Sequence, residues 1–172
     1  MKPFDFRTPR SGHNVGLRID RRSPLTLDLL EQALTHADVF WDRPADDTIV
    51  TFWNSHEPEP SALLNAEAVG DATRALFWHC TSDTLICTTD EELITFTNTT
   101  SRGIQAVVNE WNGAEAWPCA SLTLEGTLRA SIRVPLFPGT DPAELALLAT
   151  VMSRSIAAFY AHIDAQPWPT TG

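Results

Sequence analysis

At 172 residues and 43% hydrophobic composition, the chain suits one domain with flanking tails and holds enough apolar material for a sizeable core. Its formal net charge of -10 argues against general affinity for nucleic acid or anionic membranes, since both require clustered positive charge. No apolar run approaches a membrane span, and the opening "MKPFDFRTPRSG" has charges and prolines where a signal peptide needs its apolar core, so the expected compartment is the cytoplasm.

Charge is unevenly spread along the chain. Residues 1–22 carry six bases (Lys2, Arg7, Arg10, Arg18, Arg21, Arg22) against Asp5 and Asp20, +4 by that count, which leaves about -14 for the remainder. This arm reads as a solvated, disordered tail, with docking on an acidic partner or on its own body as the alternative. A single domain is expected over residues 23–166, followed by a short tail, 167–172, anchored if at all by Trp168.

The first element is a short amphipathic helix in "SPLTLDLLEQALTHADV". Thr26 serves as N-cap, Leu25 and Leu30 form a hydrophobic staple, and Leu27, Leu30 and Leu34 line one face up to an end near Ala37. "DVFWDRPADDTIVTFWN" then reads as a hairpin turning at "RPADD". The proline-rich, acidic stretch from Ser55 to Asp71 is an excursion over the surface, and "RALFWHCTSDTLICTT" is a second hairpin turning at "TSD".

In "TSRGIQAVVNEWNG", Ile104, Val107, Val108 and Trp111 follow the spacing of one helical face, and Asn112 with Gly113 supplies a helix stop. A third hairpin follows in "ASLTLEGTLRASIRVPLF". A loop of Glu125 to Thr127 opposes Leu124 to Leu128, Leu122 to Ala130 and Ala120 to Ile132, which keeps one apolar side and turns Ser121, Thr123, Arg129, Ser131 and Arg133 to solvent. The last helix starts strongly, with Asp141 as N-cap, Pro142 at the first helical position and Glu144 behind it; Leu145, Leu148, Met152, Ile156, Phe159 and Ile163 form its stripe. Hairpin connections imply antiparallel strands with helices packed on the sheet, an α+β domain.

Few residues carry chemistry. Glu110, flanked by Asn109 and Asn112, is the obvious acid or base, yet it lies a sharp rotation away from the buried face and is expected at the solvent rim. Trp111 and Trp117 bracket the turn out of their helix, where they are expected to clamp helix to sheet. His79 and Cys80 are adjacent on a strand and must point to opposite faces, so with Cys87 they make neither a Cys/His pair nor a zinc site. Cys80, Cys87 and Cys119 are an odd number without a C-x-x-C and read as reduced thiols. Phosphate-binding glycine loops, serine-nucleophile motifs and metal-spaced histidines are missing, so neither a catalytic residue, a metal nor a cofactor is assigned. Arg129 and Arg133, on an exposed strand face, are the candidate partner-binding residues.

The stretch "VVNEWNGAEAWPCASL", a strand hairpin, and the closing "VPLFPGTDPAELALLATVMSRSIAAFYAHIDAQPWP" together resemble the YbjN family of bacterial sensory transduction regulators, similar in fold to type III secretion chaperones. The likeness runs from Pro24 to Pro167, with Asn109, Glu110, Trp111, Asn112, Trp117 and Pro118 as its structural motif; the basic arm and the excursion depart from it. It implies an α/β sandwich with an antiparallel sheet, compatible with a homodimer, in a regulatory or chaperone-like role without catalysis. The expected function is therefore a non-enzymatic cytoplasmic module that binds a protein partner, with neither nucleic acid nor membrane among its targets. The alternative is a sensor that holds an apolar small molecule beneath the excursion after Asn54.

Overall fold

The computed structural model describes residues 22–54, 73–81, 83–92, 98–136 and 139–166, of which 54, 73, 90–92 and 98–101 are described by backbone alone. The basic arm before Arg22, the excursion and the terminal tail lie outside these residues. The described elements run α1 (Leu27–His36), β1 (Trp41–Ala45), β2 (Thr48–Asn54), β3 (Thr73–Cys80), β4 (Thr84–Glu92), α2 (Asn98–Ala114), β5 (Cys119–Leu122), β6 (Thr127–Pro135) and α3 (Pro142–Asp164). All strand pairs are antiparallel in one six-stranded sheet of order β1-β2-β3-β4-β6-β5, so the fold is α+β, as the hairpin pattern requires.

Both predicted helix starts are observed. Thr26 accepts the Leu29 N–H at 3.1 Å, and Asp141 accepts the N–H groups of Ala143 and Glu144 at 2.9 Å each, satisfying donors that the first turn leaves without helical partners. The start of the described chain is fastened to α3's entry by a two-way bridge, Ser23 N–H to Thr140 O at 3.0 Å and Thr140 N–H to Ser23 O at 3.2 Å. Gly139 permits this approach: its φ is +125°, and a Cβ there would stand 2.6 Å from the Ser23 carbonyl oxygen.

The helices cover one sheet face. Alternation sends Ile49, Thr51, Trp53, Leu76, Trp78, Leu85, Cys87, Thr89, Leu128, Ala130 and Ile132 inward, where the apolar ones join Leu30, Leu34, Ile104, Val108, Leu145, Met152, Ile156 and Phe159 in one core cluster. Inward polar groups are paired. Trp78 Nε1 donates to Thr51 Oγ1 at 2.8 Å, and the Tyr160 hydroxyl lies 2.6 Å from Thr89 Oγ1 and donates to Leu128 O at 3.3 Å. By length and composition α3 would be apolar enough to cross a membrane, with a window hydropathy of 1.3, but here its apolar stripe packs on the sheet and on α1.

Three local expectations are corrected. The first hairpin turns only at Asp46 and Asp47; Arg43, Pro44 and Ala45 continue β1, with a register irregularity between Asp42 and Ala45. Helix α2 runs through Asn112 and Gly113 to Ala114, and the Glu115 N–H still donates to Trp111 O at 2.8 Å. The last hairpin pairs Leu122 with Leu128 and Ala120 with Ala130, two residues away from the expected register, and Leu124 sits fully exposed in a longer loop. A shift of two keeps every side chain that remains paired on its expected face, and only Leu124 leaves the apolar side.

Candidate partner-binding face

The motif residues come together at the end of α2, where they perform a structural task. Asn112 Nδ2 donates to Ala120 O at 2.8 Å, and Ala120 N–H donates to Asn112 Oδ1 at 2.9 Å, so one amide side chain pairs with the outward backbone groups of edge strand β5 as a neighbouring strand would. Trp111 Nε1 donates to Pro118 O at 3.1 Å, and its ring packs 5.3 Å from Phe159 and 5.4 Å from His162. The Trp117–Pro118 peptide is cis. Trp117 itself is 39% exposed, and the Trp111 ring packs on α3, so Asn112 ties α2 to the sheet; the expectation of a tryptophan pair clamping helix to sheet is corrected. Asn109 and Glu110 are exposed, and Asn109 only accepts from Gln105 Nε2 one turn back.

The other sheet face carries no helix among the described residues. Its rows follow from the registers: Asp42, Val50, Phe77, Thr88, Ser131 and Cys119 stand side by side across all six strands, and His79, Ile86 and Arg133 form a parallel row. Phe52, stacked at 5.8 Å on Phe40, extends the apolar portion over β2. Val50 is buried yet stands apart from the main core cluster, and Phe52, Phe77 and Ile86 are half-buried. Arg129 and Arg133 are both exposed on β6, about 13 Å apart at strand spacing, beside this apolar portion. The face thus has an apolar portion formed by Val50 and Phe52 on β2, Phe77 on β3 and Ile86 on β4, and exposed arginines with hydroxyls over β6 and β5.

The three cysteines are free thiols. Cys80 points inward and half-buried, with burial pushing its thiol up to about 11; Cys87 is fully buried and shifted the same way, while Cys119 is exposed. His79 faces outward, its Nδ1 lying 3.0 Å from Asp47 O, which separates it from Cys80 as strand alternation dictates. Among the described residues, His, Cys, Asp and Glu side chains form no group of three able to hold a metal. A cleft of about 410 Å³ opens between Leu25, Leu27, Asp28, Arg43 and Cys80. Its cation is already engaged: Arg43 donates to Asp28 Oδ1 at 3.0 Å, Glu31 Oε1 at 2.7 Å and Asp46 O at 2.8 Å. The expected apolar-ligand pocket after Asn54 lies outside the described residues.

Sequence reasoning missed a further feature, the Arg74 guanidinium. It lies 4.7 Å over the Tyr160 ring and bonds both carboxylate oxygens of Asp164 at 3.1 and 3.3 Å, joining β3 to the end of α3. Ninety residues separate the partners, so local pattern gives no signal for the pair.

Comparison with known proteins places the fold. No family model matches the chain, and no curated protein matches it. Among solved structures it is similar in fold to YbjN from E. coli, described as a proposed transcription regulator, at a TM-score of 0.58 and 13% identity, covering 83% of this chain and 96% of that one.

Proposed function

We propose that this chain is a regulatory module of the YbjN type that binds a protein partner on the helix-free face of its sheet. The observation that carries this reading is the face itself: half-buried Phe52, Phe77 and Ile86 form an apolar centre, Ile86 stands opposite exposed Arg133, and exposed Arg129 lies further along β6 opposite Asp90, so a charged rim borders the centre. Pairing at a sheet edge is the less favourable route, since Asn112 occupies the outward groups of Ala120 on β5 and the opposite edge, β1, is short, charged and interrupted by Pro44. The fold likeness to a protein described as a proposed transcription regulator supports the regulatory part of the reading.

In this proposal the protein acts in the cytoplasm, in the manner of a chaperone, and catalyses no reaction. Cys80 is no candidate nucleophile, because burial pushes its thiol up to about 11 and keeps it protonated at neutral pH. The test is site-specific photo-crosslinking in the native cell from position 86 on the sheet face and, as control, from exposed Gln32 on α1. A discrete heteromeric adduct from position 86 alone, weakened by Arg133→Glu, is expected. Equal adducts from both positions, or none from either, would sink the proposal.

A further inference from the structure

The outward stripe of α3 carries apolar surface that no described element covers. Leu147 is 67% exposed and Val151 43%, one turn apart and opposite the buried row of Leu145, Met152, Ile156 and Phe159. Followed along the helix, the stripe reads Glu144, Leu147, Val151, Arg154, Ala158. Those spacings alternate three and four, as in the seam along which two helices pack knobs into holes.

This seam complements itself. In an antiparallel pair of identical helices related by a two-fold axis, residues equally far from the axis on opposite sides face one another. With the axis at the level of Ala149, Leu147 meets Val151 of the second copy, and Glu144 meets its Arg154. One placement therefore sets apolar on apolar and acid on base in every layer. A parallel pairing would instead stack Arg154 on Arg154 and Glu144 on Glu144. In the single chain Glu144 has Arg22 at 3.7 Å and the Thr140 hydroxyl at 3.3 Å, with half of its side chain open to solvent, so the carboxylate is already oriented at the helix surface where a second cation can join.

We infer that α3 is a self-association surface, occupied by a second copy of this chain packed antiparallel across a two-fold axis at Ala149. Two Leu–Val layers flanked by two ion pairs bury well under the roughly 1,200 Å² of a standard stable interface, so the dimer is weak and concentration-dependent. The helices lie between the subunits in this arrangement, so the sheet faces that no described helix covers point away from the seam. The inference does not depend on what those faces bind.

Sedimentation equilibrium of the full chain, from micromolar to millimolar, tests it. The wild type should show a monomer–dimer equilibrium. Arg154→Glu and Glu144→Arg, which each put like charges across the seam, should raise the dissociation constant tenfold or more, and an equimolar mixture of the two should form a heterodimer, because each repairs the other's layers. Leu147→Ser should weaken association as well while leaving the far-ultraviolet melt in place, as its side chain is mostly exposed. A wild type that stays monomeric, a dimer undiminished by Arg154→Glu or Leu147→Ser, or folded single variants that fail to associate when mixed would overturn the inference.

Discussion

Asn112 does with one side chain what a seventh strand would otherwise do. Its amide pairs with both backbone groups of Ala120, so Asn112→Ala should cost about 1–3 kcal/mol in urea unfolding and leave β5 open to intermolecular pairing, while Asn109→Ala should cost next to nothing. Trp111→Ala should cost about 2–3 kcal/mol, since half-burial against Phe159 puts it at or below the lower end of the range for buried aromatics, whereas Glu110→Ala should stay within about 0.5 kcal/mol. Equal losses for the two would contradict the geometry of the helix. The buried face of α2 was legible because its spacing is local. The use of Asn112 was not, because an Asn-Gly pair near a helix end is also the common stop signal and the choice between the two is made by β5, a different element. The thiols make a further residue-scale prediction. Folding raises the ionisation of Cys80 from 9.0 to about 11 and shifts Cys87 in the same direction, so between those values the unfolded chain binds fewer protons than the folded one. The Cys80 contribution is fully present below pH 9 and is lost as pH rises through about 11, and Cys87 acts in the same direction. The fall in melting temperature across that window should be shallower in a Cys80→Ser, Cys87→Ala variant than in the wild type.

Elements were legible to different degrees, and the reasons are physical. Helices α1 and α3 begin where capping chemistry places them, at Thr26 and Asp141, because a cap is a contact between near neighbours in sequence. Hairpin β5–β6 was read with the correct faces and the wrong loop. Alternation fixes which side a residue takes but is blind to a shift of two, and the longer loop is closed by backbone and Thr123 side-chain bonds to Thr127, at 2.9 and 3.1 Å, that apolar pattern does not encode. The two registers differ in one testable residue. With Leu124 opposite Leu128, a charge at 124 would enter the apolar side; with Leu124 at the exposed loop apex, Leu124→Asp should change stability by less than about 0.5 kcal/mol, and Leu122→Asp on the inward face should cost several times that. Thermal melts of the two variants decide between them.

At the scale of the molecule, one sheet presents two unlike faces, and the proposed function depends on which of them is spare. Antiparallel strands, helices packed on the sheet and the outward position of Arg129 and Arg133 were readable from hairpins and alternation, whereas the pairing of β4 with β6 was not, since no hairpin joins them. The apolar portion of the outer face was not, because Val50, Phe52, Phe77 and Ile86 come from three strands and are joined only by cross-strand register. Leu85 and Ile86 are adjacent on β4 and point to opposite faces, the first fully buried under α3's layer and the second half-buried on the helix-free side. Replacing each by threonine swaps comparable volumes and adds the same hydroxyl, so the difference in cost reports what lies over each face. Leu85→Thr should cost about 2–4 kcal/mol through lost packing and an unsatisfied buried hydroxyl, and Ile86→Thr about 1 kcal/mol or less. A spare face also predicts that Ile86→Thr lowers partner binding by more than it lowers stability. If the two threonine variants unfold at the same urea concentration, the outer face is a second core already filled within the folded chain, and the partner must be sought elsewhere.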